Sequence, residues 1–197
     1  MKRREALKNT ALLGGSTVLA SALMGLLQSC QQEDRLGWEP KFLSNAQARM
    51  VASLVDTILP KTSTPGGLDV KVDMFLDLAF AKMYDEKGQQ QLRTELDAFD
   101  QESKDQFGKV FAELSEDQKK EFLMEKERTS PKFGYGVWGA GVGEQKPVGF
   151  YRSLKSMMIM AYCTSGEIGK NVLKYDPVPG EFIGCLPLSE VGGVYSL

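Results

Sequence analysis

Apolar residues in this chain recur at three- and four-residue intervals and nowhere alternate over the length of a strand, which restricts the fold to packed helices. Ser44 and Gln47 form a Ser-x-x-Gln capping box, each side chain satisfying a backbone donor that the first turn leaves orphaned. Ala48, Val51, Leu54, Val55 and Ile58 follow at helical spacing, and Pro60 closes the helix because proline disfavours helical geometry in the residue before it. After a loop over Thr62–Gly67, Asp69 is expected to cap a second helix with Val72, Phe75, Leu76, Ala79 and Met83 on its inner face. Gly88 is expected to separate that helix from a third carrying Leu92, Leu96 and Phe99. Phe107, Val110, Phe111 and Leu114 suggest a short fourth, and Ser115 with Gln118 repeats the capping box before a helix reaching about Arg128. A last helix is expected from about Val148 to Tyr162, with Phe150, Leu154, Met157, Met158 and Ala161 inward. The expected fold is all-α: a single compact helical domain of about five to six helices, with long loops and an irregular C-terminal strap.

The first thirty residues have a different character. A basic stretch, Met1-Lys-Arg-Arg-Glu-Ala-Leu-Lys8, precedes an apolar run from Ala11 to Leu27 and then Leu27-Gln-Ser-Cys30, the layout of an export signal. Arg3 and Arg4 followed by Leu7-Lys8 resemble a twin-arginine signal, whose route carries proteins already folded. Leu27–Cys30 resembles a lipobox in which Cys30 is lipidated and becomes the mature N-terminus, although Gln28 stands where a small residue is more usual. The apolar run is diluted by Gly14, Gly15, Ser16, Thr17 and Ser21 and falls short of the ~20 residues of a spanning helix. The expected organisation is a signal peptide over 1–29, a tether over 30–41 and a helical domain over 42–197. Lipid would hold that domain in the cell envelope, on the periplasmic side of the membrane or at the outer membrane.

Composition then excludes chemistry. The chain has no histidine, so it cannot itself supply a Ser-His-Asp or Cys-His nucleophile pair, an imidazole base, or the usual ligand for zinc, copper or haem. With Cys30 in the anchor, only Cys163 and Cys185 remain, too few for an iron–sulfur cluster. Those two thiols can pair with each other, bond a partner subunit, or stay free as small hydrophobes. Without Lys2, Arg3, Arg4, Lys8 and Glu5 the balance is 20 cationic against 25 anionic side chains, a formal charge of −5. That gives no footprint for nucleic acid. Carboxylate chemistry stays open, but Asp73 and Asp77, one turn apart, read as surface charge on their helix.

Three further motifs have plain readings. Gly134-Tyr-Gly136-Val-Trp-Gly139 satisfies G-x-G-x-x-G, yet Ser130-Pro131 before it and Gly141, Gly143 and Pro147 after it leave no room for the strand and helix that dinucleotide binding needs. Phe133, Tyr135 and Trp138 are instead expected to pack on the body or on a partner. Met157, Met158 and Met160 read as core rather than as a soft-metal site. The tail, with Tyr175-Asp-Pro-Val-Pro-Gly180 and then Phe182-Ile-Gly-Cys185, is proline-fixed and non-repetitive, so it either seals its own core or lies along another subunit.

Several segments together resemble the gluconate 2-dehydrogenase subunit 3 family. They are the twin-arginine-like leader, Leu54-Val-Asp-Thr-Ile-Leu-Pro60, Pro65-Gly66-Gly67, Val72-Asp-Met-Phe-Leu76, the Tyr162-Cys-Thr-Ser-Gly166 turn and Tyr175-Asp-Pro-Val-Pro-Gly180. They span most of residues 42–187. The turn departs from the family's pattern in having no residue between Ser165 and Gly166. The resemblance implies a small, non-catalytic subunit of a membrane-bound sugar or polyol dehydrogenase that binds no cofactor itself. In such complexes FAD sits in a glucose-methanol-choline-type flavoprotein, and electrons pass to an acceptor such as a cytochrome c subunit. The small subunit is expected to stabilise the flavoprotein and lend it an export signal. Candidate partner contacts are Tyr135, Trp138, Tyr162, Tyr175, Asp176, Pro177, Pro179 and Gly180. The competing expectation is a freestanding lipid-anchored binding or scaffold protein of the envelope.

Overall fold

The computed structural model describes residues 38–196, except Tyr135, Trp138, Gly139, Pro177, Pro179 and Phe182. The signal peptide and most of the tether, with Arg3, Arg4 and Cys30, therefore lie outside the described residues. From Glu39 onward the chain forms one compact unit. Its helices are α1 (Asn45–Ile58), α2 (Val72–Met83), α3 (Glu86–Phe107), α4 (Glu116–Thr129), α5 (Phe150–Cys163), and the short α6 (Gly166–Asn171) and α7 (Leu188–Val191). A single 3-10 turn, Phe111–Glu113, stands where a short fourth helix was expected. The fold is all-α, as anticipated, apart from a two-residue hairpin that pairs Gly136–Val137 (β1) with Ala140–Gly141 (β2).

Both capping boxes form. Ser44 Oγ accepts from the Gln47 amide while Gln47 Oε1 accepts from the Ser44 amide, and Ser115 and Gln118 repeat the exchange. Gln47 also reaches out of its own helix, donating from Nε2 to Asp97 on α3 at 2.7 Å. Helix α1 lies at the centre of the domain, touching α2, α3, the 3-10 turn and α4. Its Ala48, Val51, Leu54 and Val55 are wholly buried. Aromatic rings close the other side of the core. Phe99 of α3 meets Phe122 of α4 edge-on at 5.1 Å, Phe111 at 5.6 Å, and stacks on Tyr151 of α5 at 6.4 Å.

Four local expectations need correction. Helix α2 is capped by Lys71 in the left-handed region, with no side-chain cap bond; Asp69 instead accepts the Gly66 amide and closes the preceding turn. The break before α3 falls at Asp85, which caps the helix by accepting the Gly88 amide, so Gly88 lies inside the first turn. On α2 the inner face carries Phe80, while Phe75 and Met83 are exposed. The methionines divide: Met158 is buried, Met160 is exposed, and Met157 accepts a bond from the Tyr84 hydroxyl. Gly108, at φ 74°, ends α3 with a left-handed cap that L-residues rarely adopt.

The largest correction concerns Asp77, which is not surface charge. Its carboxylate is 2 % exposed and accepts three backbone amides: Lys41 at 2.7 Å, Phe42 at 3.0 Å and Leu43 at 2.8 Å. Asp73, one turn earlier, is buried as well. A buried carboxylate is stable only when its lone pairs are filled, and here the incoming chain fills them. Asp77→Ala is therefore expected to cost about 4 kcal/mol in denaturant unfolding, and Asp77→Asn about 2 kcal/mol because one oxygen acceptor survives. A loss below half a kcal/mol in either variant would refute this assignment.

Candidate functional site

Three surfaces could carry function, and each is built by a different device. The first lies at the end of the domain where α1 stops. The loop after Pro60 folds back on α1, the Gly67 amide donating to the Leu59 carbonyl at 2.7 Å, and Val72 then donates to Gly67 at 2.9 Å to start α2. Gly66 and Gly67 are required by closeness. A Cβ on Gly66 would stand 2.7 Å from the Lys61 backbone nitrogen, and one on Gly67 would stand 2.6 Å from Val55 Cγ1. The Tyr162 hydroxyl, at the far end of α5, donates to the Pro65 carbonyl at 2.7 Å and ties this loop to the α5–α6 turn. Ser165 caps α6 there by accepting from Ile168. Between loop and turn opens a shallow cleft of about 610 Å³, lined by Lys61, Thr62, Thr64, Lys71, Ser165 and Glu167 among others.

The second surface is the outer side of α5. Arg152 donates to Glu127 and to the carbonyls of Glu127 and Ser130, while Lys155 donates to Glu127 at 2.9 Å. These bonds lock the end of α4 against α5. Beside them Phe133, Ile159, Met160 and Cys163 edge a groove of about 410 Å³. Phe133 leads into the glycine-rich segment, which forms the β1–β2 hairpin and is followed by no helix before Phe150. Among the described residues the G-x-G-x-x-G match thus lacks both the strand directly before it and the helix directly after it that dinucleotide binding uses.

The third surface is the C-terminal strap. Tyr175, Asp176 and Gly180 are exposed, with Lys170 placed 5.9 Å over the Tyr175 ring. Tyr162, by contrast, spends its hydroxyl inside the chain. Tyr135, Trp138, Pro177 and Pro179 lie outside the described residues. Cys163 is half-buried, Cys185 is exposed, and the two are not joined.

The Gly66 amide and then Lys61 hold the Asp69 carboxyl below its ordinary value, and the bond from Lys155, with Arg152 adding to it, does the same for Glu127. A general acid or base working near neutrality needs the opposite push. Burial, with the charge of Glu127 adding to it, raises Tyr151 to about 12, and burial lowers Lys126. Among the described residues, no group of three or more Cys, Asp or Glu side chains could hold a metal ion.

A family model, gluconate 2-dehydrogenase subunit 3, matches residues 45–180. The chain belongs to the gluconate 2-dehydrogenase subunit 3 family. Membership implies an accessory subunit of a gluconate 2-dehydrogenase-type complex, associated with a catalytic subunit. No curated protein and no solved structure matches the chain. Within this subunit 3 domain, the bond from Tyr162 to Pro65 joins two segments 97 residues apart into one structural joint.

Two outcomes follow. Gly66→Ala and Gly67→Ala should each cost about 1–3 kcal/mol in denaturant unfolding, because the new methyl meets backbone or core. Gly180→Ala, which meets nothing within 4 Å, should be neutral. For Glu127, a folded-state pKa pushed down means that its ion pairs contribute at neutral pH and are lost as pH falls through that lowered value. Glu127→Gln is expected to lower Tm by about 2 °C at neutral pH, as a half-exposed pair should. The gap from wild type should close in acid; a gap that persists at about pH 2 would exclude the pairing as its cause.

Proposed function

We propose that this chain is the non-catalytic small subunit of an extracytoplasmic, FAD-dependent dehydrogenase of the gluconate or sugar type. In this reading it stabilises the flavoprotein and assists its export in folded form. The observation that carries the reading is the family match across residues 45–180 of a chain that has no histidine. The catalytic partner is a glucose-methanol-choline-type flavoprotein holding the FAD, and a cytochrome c subunit serves as electron acceptor. Arg3 and Arg4 supply the twin-arginine signal, which suits a partner that must load its flavin before crossing. Cys30 supplies the lipid anchor that keeps the complex on the periplasmic side of the envelope.

The test is expression of the flavoprotein with and without this chain, followed by measurement of flavin-dependent dye reduction in membranes. Membrane activity should require the chain. Replacing Arg3 and Arg4 with lysine should leave flavoprotein and activity in the cytoplasm, and Cys30→Ala should release both from the membrane. A flavoprotein that reaches the membrane and works equally well alone would end the accessory reading.

A further inference from the structure

Helix α2 has its polarity inverted. Nine of its twelve residues are apolar, more than one inward stripe can bury, while its only carboxylates, Asp73 and Asp77, are both buried. Facing water instead are Phe75, 44 % exposed, and Leu78, 45 %. Lys71, Phe75, Leu78 and Lys82 follow at i, i+4, i+7 and i+11, share one stripe, and are all exposed. Leu68, in the turn before the helix, is exposed too. The outward stripe is thus apolar in its middle and cationic at each end, with no carboxylate in it. At its loop end Asp69 is paired with Lys61 at 3.2 Å, and past its other end Asp85 is engaged in capping α3.

The same helix receives the incoming chain. The Asp77 carboxylate, one residue before Leu78, holds the amides of Lys41, Phe42 and Leu43, so the polypeptide is fixed to α2 at its point of entry. Lys41 follows Cys30 by eleven residues. At full stretch that length of chain spans about 40 Å, roughly the breadth of a domain of this size, and any shorter path spans less. Whatever surface holds Cys30 therefore lies nearer to α2 than to the remote side of the domain.

We propose that the outward stripe of α2 lies on the membrane surface, with Phe75 and Leu78 entering the boundary between headgroups and acyl chains and Lys71 and Lys82 reaching lipid phosphates. The proposal rests on the reading of Cys30 as a lipid anchor and adds the face by which the domain meets the bilayer. Phospholipid headgroups carry phosphate, and lysines lay their stems over apolar surface while their ammonium groups stay in the polar layer, so both halves of the contact are chemically defined. The short link to Cys30 is what selects lipid over a protein partner, since it brings this stripe to the bilayer whatever else binds the domain. Two apolar side chains are too little area to hold the protein alone. The acyl chains supply the affinity, and α2 supplies the orientation.

The experiment reads depth in the intact lipidated protein. Phe75→Trp and, as a control, Met124→Trp on α4, a site 73 % exposed, are reconstituted in vesicles of phosphatidylethanolamine and phosphatidylglycerol with brominated acyl chains. The emission of the wild type, from Trp38 and Trp138, is subtracted. Bromine should quench the Phe75→Trp reporter at least about twofold and leave the Met124→Trp reporter unchanged. Lys71→Glu combined with Lys82→Glu should remove most of that quenching, because anionic headgroups then repel the stripe. Circular dichroism melts of all variants should match wild type, since no buried group is touched. Equal quenching at the two reporters, or none at Phe75→Trp in protein that floats with the vesicles, would overturn the α2 contact and leave the lipid anchor intact. Protein that mass spectrometry finds without acyl groups on Cys30 would overturn the anchor and the contact with it. A Phe75→Trp reporter that responds to added catalytic subunit and never to brominated lipid would overturn the contact in favour of a protein partner.

Discussion

The domain depends on a carboxylate taken out of water. Asp77 receives the amides of Lys41, Phe42 and Leu43, and so pins the entering chain to α2. That contact sets Phe42 edge-on against Phe80 and beneath the Arg93 guanidinium, 3.9 Å from the ring centre. Ser44 follows at once, and its cap fixes where α1 begins and which of its faces turns inward. Because α1 touches most of the other elements, an error in its entry would propagate through the core. An unfilled carboxylate at this depth would cost several times what a surface ion pair contributes, so the arrangement tolerates little slack.

The polar ties that matter join segments distant in sequence. Gln47 reaches Asp97, Tyr162 reaches Pro65, and Arg152 reaches Ser130 and Glu127. The Arg152 bonds to the Glu127 and Ser130 carbonyls close the end of α4, where backbone groups lack helical partners. The interior is mostly aliphatic and aromatic, with Gln47, Asp73, Asp77 and Ser103 buried among those side chains. Apolar side chains left exposed lie both on the body, at Met83, Met124 and Phe133, and on the strap, at Val178 and Ile183.

Helix positions were legible because capping boxes and three-to-four spacing are local signals, and both Ser-x-x-Gln boxes formed at the expected residues. Errors arose where a residue's partner was remote. Asp69 has the look of a cap, but the Gly66 amide and Lys61 claim it. Asp73 and Asp77 were read as surface charge, although each lies three residues before a member of the buried Leu76 and Phe80 stripe. That spacing was the available signal, and charge outweighed it. Phe75 fits the α2 pattern yet is exposed, since the stripe is narrower than its run of apolar residues.

By itself the sequence determined the helical class, the two helix starts marked by Ser-x-x-Gln boxes and the absence of imidazole from any chemistry here, because these follow from local periodicity and composition. It also determined kinship, since the family model matches residues 45–180 without knowledge of their packing. Only the tertiary structure decided that Asp77 is a buried anchor, that Tyr162 serves the Pro65 loop, and that Lys174 bonds the Val191 carbonyl and the Tyr195 hydroxyl. The reason is physical: burial and hydrogen-bond partnership are set by what the rest of the chain brings alongside a residue, and no local pattern encodes that.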